Sequence, residues 1–367
     1  MNLGPELDTK INPSLNQTSK LHKNLIPIGL LFVIFAIVLI FLGMQQRGKE
    51  NIVPSKTYTI GILRYIKQVD KVEEGFYQGM KDLGYIEGQN VHYVVTPYGE
   101  SPAKMQGLAQ GLIDQNVDLI VAITSVAAGG AKKATEASNR TDLPIVFTHS
   151  NQPDKQGHIQ SFQSSGNNLT GVAINYEVVT EKKLEFLKRI DPSIKRIGTL
   201  DADFTDPAGK LILEALKNGA SKFGVEIVPY KVKNDVGPKA TQEIAGIASS
   251  INSGDIDAFF HLAGPVSNPA ENVQLIIDMA KRLKIPAVYL VDTQVEQGGL
   301  FSYAHDMVSM GKQTSVIVDK VLRGTKPTDI PTEYPNKNGL VFNLKTAQEI
   351  GITIPESLLS IADRIIK

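Results

Sequence analysis

The side chains able to do chemistry sit in short clusters, each following an apolar run. Arg64 and Tyr65 follow YTIGIL, Thr124 and Ser125 follow DLIVAI, and Thr148, His149, Ser150 and Asn151 follow PIVF. Asp201 and Asp203 follow RIGTL, Ala263 and Gly264 follow DAFFHL, and Asp292 and Thr293 follow PAVYLV. Hydroxyls, an amide, an aromatic ring and carboxylates are the groups that hold a small polar or zwitterionic solute. Three of these residues carry two readings. Ser125 either helps a helix N-terminus hold a carboxylate or serves as an ordinary N-cap. Tyr65 either stacks on a flat ligand or packs at the edge of its unit. Asp292 either pairs with a ligand ammonium or caps the next turn.

The same inventory argues against catalysis. There is no G-x-x-x-x-G-K-[ST], no G-x-S-x-G, no H-E-x-x-H and no G-x-G-x-x-G after the first apolar run. The stretch from Asp201 to Asp206 resembles the start of a calcium loop, but Gly is missing from its sixth position and Glu from its twelfth. His149 and His261 have no nucleophile and orienting acid nearby in sequence and read as packing or pocket histidines. The absence of Cys removes disulfides, thiolate metal sites, a cysteine nucleophile and a lipid-modified N-terminal cysteine. Six His, no two at helical ligand spacing, argue against zinc. Lys+Arg and Asp+Glu both number 38, so the basic excess of a nucleic-acid binder is missing. The prediction is a monomeric binder of a small molecule, with no enzymatic activity, no cofactor, no metal and no nucleic-acid partner.

Elements of alternating type must position these clusters. Apolar runs at 58–63, 91–95, 118–123 and 144–149 read as strands, and helical spacing appears around 72–83, 102–115 and 126–138. Gly84 is placed to end the first helix. The pattern restarts with strands at 196–200, 225–230, 257–262 and 286–291. Helices alternate with them: one opened by Asp206 and Pro207, then 238–252 and 269–283. The two series match in detail: Asp118 and Pro144 bracket one strand–helix unit and Asp257 and Pro286 another, 26 and 29 residues apart. This predicts an α/β fold of two Rossmann-like parallel-sheet lobes. The polar clusters then lie at the carboxyl ends of the strands, where open sheets bind ligands.

Ahead of the lobes, the run from Leu25 to Met44 holds no charge, and twenty helical residues cover about 30 Å, a bilayer core. It predicts a transmembrane anchor at 25–44, after a disordered tail at 1–24 and before a tether at 45–57. A cleaved secretory signal is the alternative, opposed by the length of the run and by the lack of an A-x-A-like site after it. A cytoplasmic N-terminus puts the soluble part outside the cell membrane.

From residue 58 onward the chain resembles the extracytoplasmic substrate-binding proteins of ABC transporters, in the group related to tryptophan/tyrosine-binding components. The resemblance rests on GFYQGMKDLGYIEGQNV (75–91), VDLIVAITS (117–125), DLPIVF (142–147), NNLTGV (167–172), MGKQTSVIVDKVLRGTKPTDIP (310–331) and NLKTAQEIGITIPESLL (343–359). It implies a type I periplasmic-binding-protein fold. Lobe 1 would take 58–168 plus 306–331 and lobe 2 would take 178–296 plus 343–367, with hinge crossings at 169–177, 297–305 and 332–342. It further implies capture of a solute by hinge closure and delivery to ABC permease subunits. A ligand-sensing ectodomain is the alternative. Two family acids are replaced, by Gln152-Pro153 after PIVF and by Ala263-Gly264 after DAFFHL, which leaves Asp292 as the expected cation partner and puts aromatic amino-acid specificity in doubt.

Overall fold

The computed structural model describes residues 56–202, 207–233, 237–264 and 267–367. The expected tail, the anchor 25–44 and all but the end of the tether lie outside the described residues, as does Asp206. Among the described residues no helix is long and apolar enough to cross a membrane.

Two sheets organise the rest. The first has the order β2-β1-β3-β4-β5, formed by β1 (Tyr58–Arg64), β2 (Val91–Val95), β3 (Leu119–Ile123), β4 (Ile145–Asn151) and β5 (Leu169–Ile174), all parallel. Every residue of β3 is buried, as expected of an inner strand covered on both faces, and so is every residue of β5, the edge strand. Side chains alternate between two cores. Ile60, Ile62, Val121 and Val146 face one; Leu63, Ile120, Ala122 and Phe147 face the other. Helices α1 (Asp70–Asp82), α2 (Pro102–Asp114) and α3 (Ser125–Ala137) supply the covering stripes.

The second sheet has the order β12-β11-β10-β9-β8-β6-β7. It comprises β6 (Arg196–Ala202), β7 (Glu226–Val232), β8 (Ala258–Phe260), β9 (Ala287–Tyr289), β10 (Phe301–His305), β11 (Asn338–Asn343) and β12 (Arg364–Ile366). Its helices are α4 (Tyr176–Ile190), α5 (Pro207–Ala220), α6 (Pro238–Ser250), α7 (Ala270–Leu283) and the short α8 (Asp292–Glu296). This sheet is not wholly parallel: β10 and β11 run antiparallel, because β11 enters from the opposite end after a visit to the first lobe.

That visit is α9 (Met307–Leu322), which packs along α1. Glycine makes the approach possible. A Cβ on Gly311 would stand 2.0 Å from the Val72 carbonyl oxygen, and one on Gly75 would stand 2.1 Å from that of Val308. The segment after α9 then borders β5, with the Ala173 N–H donating to the Glu333 carbonyl and the Glu333 N–H to that of Gly171. The last helices, α10 (Leu344–Ile350) and α11 (Glu356–Leu359), precede β12. The three ranges expected as hinge crossings therefore contain strands: β5 of the first sheet, then β10 and much of β11 of the second. The chain passes between the sheets in shorter spans, at Asn175, at Asp306 and over 334–337. Asn175 and Asp306 are N-caps whose side chains accept from the first N–H groups of α4 and α9, so each passage turns directly into a helix.

Candidate functional site

The carboxyl ends of β3 and β4 form a strained and internally bonded rim. Thr124 has φ +93° and is the N-cap of α3, its Oγ1 accepting from the Ala127 N–H at 3.4 Å. Ser125 is thus the first residue of the helix and not its cap. Its Oγ accepts from the Asn151 N–H at 2.9 Å and from the Gln156 Nε2–H at 3.2 Å, with the buried Ser150 Oγ at 3.3 Å. Asn151 Oδ1 accepts from the Tyr176 N–H at 3.1 Å, which ties this rim to the start of α4. His149 has φ +54° at an irregularity in the β4–β5 register, and Gln152 has φ +41°. Non-glycine residues in this region cluster where function holds them. Burial presses the His149 imidazole down to about 4, so it is neutral at ordinary pH.

Tyr65 is 8% exposed and belongs to the core containing Met105 and Ala109, so its ring packs where a ligand was expected to stack. Arg64 lies over the Tyr98 ring, 4.3 Å from its centroid, and donates from Nε to the Thr96 carbonyl.

In the second lobe, Asp201 at the end of β6 is buried and paired with Lys231 at 2.9 Å. Gly264 closes a turn in which its carbonyl accepts from the Asn268 N–H at 3.0 Å. Asp292 is already partnered. Its carboxylate meets Lys71 of the first lobe at 3.4 Å and Arg364 at 3.5 Å, and accepts from the Thr293 N–H at 2.9 Å. Asp292 is the first residue of α8 and not its cap, and with two cations already on its carboxylate it is not a free cation receptor either.

Two cavities lie against these loops. One, of about 440 Å³, is lined by charged groups including Lys71, Asp292, Asp306 and Arg364, with Thr293. The other, of about 430 Å³, draws Ile66, Val69 and His149 from the first lobe and Tyr176, Lys183, Thr293 and His305 from the second. Its walls are largely apolar, with Val179, Ile212, Val273 and Leu290 contributing. Among the residues of the sequence clusters, His149, Ala263 and Thr293 line it, and Asp292 and Thr293 line the first cavity. No group of His, Cys, Asp or Glu able to hold a metal occurs among the described residues.

Sequence reasoning missed Lys183, His305 and Asn268 of this second cavity. Lys183 carried a signal: it falls four residues after Val179 and four before Leu187, inside the apolar stripe of α4, where an aliphatic residue belongs. It is 3% exposed. Burial pushes its ammonium down to about 7. His305 donates or accepts at Nδ1 with Asn338 Oδ1 at 2.6 Å, and because Asn338 Nδ2 donates to the Tyr303 hydroxyl, Oδ1 is the acceptor. Its Nδ1 therefore carries the proton, and Nε2 is a buried acceptor with no partner among the described residues. Asn268 Oδ1 is likewise buried and without a partner among the described residues.

The chain is 25% identical over 298 residues to a tyrosine-binding protein of Clostridioides difficile, covering 80% of this chain and 81% of the relative. Among solved structures it is similar to a Streptococcus pneumoniae ABC domain in complex with L-Trp, with TM-score 0.70 and 26% identity, covering 85% of this chain and all of that one. A conserved domain protein of Vibrio cholerae matches with TM-score 0.71 and 25% identity, over 84% of this chain and all of that one. An ABC sugar transporter subunit of Rhodobacter sphaeroides, at 15% identity and TM-score 0.58, shares the fold. The family model that matches residues 60–366 describes ABC transporter substrate binding proteins, non-enzymatic solute binders, and the chain belongs to that family.

Proposed function

We propose that this protein is the membrane-anchored, extracytoplasmic solute-binding component of an ABC importer. It captures an amino-acid-like molecule between its lobes and delivers it to permease subunits. The observation that carries this reading is the cavity of about 430 Å³ walled by strand ends and helices of both lobes. Its volume falls in the range of small-ligand sites, and its apolar walls carry a few placed polar groups. The names of two relatives, one a tyrosine binder and one holding L-Trp, support an amino-acid-like ligand. Thr293, His149, Lys183 and His305 touch the solute in this reading. Thr124, Ser125, Ser150 and Asn151 hold the rim in shape, and Tyr65 and Asp201 fix the lobes beneath it. A ligand touching both lobes favours the arrangement in which they meet and shifts the population toward it. The stretch 25–44 supplies the anchor and places the lobes outside the membrane.

Native mass spectrometry of the gently purified full chain tests the reading, together with calorimetry against L-tyrosine and L-tryptophan. A co-purifying amino-acid-sized mass, or saturable binding of either compound with a smaller radius of gyration on binding, is the expected result. Turnover of a bound compound, or co-purification with a kinase instead of permease subunits, refutes it.

A further inference from the structure

We propose that Lys183 is the counter-charge of the bound solute: the cavity takes a carboxylate-bearing molecule whose acidic group seats on the Lys183 ammonium. This deepens the functional reading above and rests on it. Lys183 lies on α4, 3% exposed, with no hydrogen bond or ion pair among the described residues; the Phe260 ring lies 5.6 Å from its Nζ. A buried ammonium without an acid is costly, and the position it occupies in the apolar stripe of α4 would hold an aliphatic residue if packing alone mattered. The cavity it lines contains no Asp or Glu among its described lining residues. An anion entering that space meets a positive charge that the protein itself leaves unanswered.

The remaining polar groups fit the other end of such a molecule. His305 Nε2 and Asn268 Oδ1 are buried acceptors without partners among the described residues, both of residues lining the cavity, so they can receive N–H or O–H donors of the solute. Carboxylate, donor group and apolar body together describe an amino acid or a close analogue.

Titratable groups near Lys183 do not blur its signature. His149 on β4 and His261 at the end of β8 are held down to about 4, and His305 on β10 is lowered as well, each first by burial. Tyr289 on β9 is raised by burial, Tyr176 sits on the same helix, and α5 offers the apolar Ile212 to the cavity. At pH 8 the histidines are already neutral. Seating an anion on Lys183 raises its proton affinity, so binding at pH 8 draws a proton from the buffer.

The test uses the full chain in detergent, wild type and Lys183→Met, with L-tryptophan and L-tyrosine against tryptamine and tyramine, which lack the carboxylate. Expected are amines at least tenfold weaker than the amino acids on the wild type, and a variant that binds the amino acids no better than the amines. The variant should melt no lower than the wild type. Proton uptake at pH 8 is read on the wild type from the dependence of binding heat on buffer ionisation enthalpy, independently of whether the variant folds. Amino-acid affinity kept within twofold in the variant, equal binding of amines and amino acids by the wild type, or binding without proton uptake each overturns the role of Lys183 and leaves the solute-binding reading standing. Failure of all four compounds to bind the wild type overturns both.

Discussion

At the scale of single residues, the site is built from groups whose local costs the fold accepts. Thr124 and His149 hold left-handed backbone without being glycine, and Lys183 holds a charge in an apolar stripe. The charge has a measurable consequence for stability. The folded-state pKa of Lys183 is about 7 against an ordinary 10.5, so between those values the unfolded chain binds more protons than the native one. Stability conferred at this position therefore rises with pH across that window and is lowest below about pH 7, where both states are protonated. Urea unfolding of wild type and Lys183→Met, compared from pH 7 to 10, should show the variant more stable at pH 7 and its advantage shrinking as pH climbs. A pH-independent difference refutes the assignment. The individual site residues were only partly legible in the sequence. Clusters after apolar runs correctly marked strand ends, because a strand end is announced locally. Whether Tyr65 faces a ligand or Met105, and whether Asp292 is free or bound to Lys71 across the lobes, depends on residues distant in the chain. Lys183 is legible as a cation out of place in a helical stripe only once the helix over 176–190 is recognised.

Among the elements, the strands β1 to β4 and β6 to β9 coincide with apolar runs flanked by turn residues, which is why a sequence reading finds them. The strands β5, β10 and β11 fall in stretches that the resemblance implies are hinge crossings, because their boundaries depend on pairing with distant partners. Helix α9 was expected to return to the first lobe, and the reason it fits there is steric. The backbones of α1 and α9 approach so closely that Gly75 and Gly311 face carbonyls directly. Gly311→Ala should destabilise the fold by roughly 1–3 kcal/mol, the usual range for overpacking, since the opposing atom is backbone and cannot rotate away. Thermal melts of this variant beside Gly339→Ala, where a Cβ would meet nothing within 4 Å, make the comparison. Equal melting temperatures would show that the helices separate without cost.

For the whole molecule, the links between the two lobes among the described residues include three short passages and an exposed ion pair, Lys71 with Asp292. Both partners are partly solvated, so the pair contributes about 0.2–1 kcal/mol to the arrangement that unites the lobes. Lys71→Met should weaken solute binding by no more than about fivefold and increase the radius of gyration of the ligand-free chain in X-ray scattering at low salt, an effect that fades as salt is raised. Identical scattering curves would remove the pair from the balance between lobe arrangements. The interleaved path of the chain bears also on its synthesis. A ribosome that has reached His305 has supplied neither sheet with all its partners: α9, which seals one face of the first, and β11 and β12, which extend the second, are still to come. Neither lobe can complete its sheet and covering helices before the segments after His305 have been made, so the closing steps of folding in both lobes wait on the same late stretch of chain.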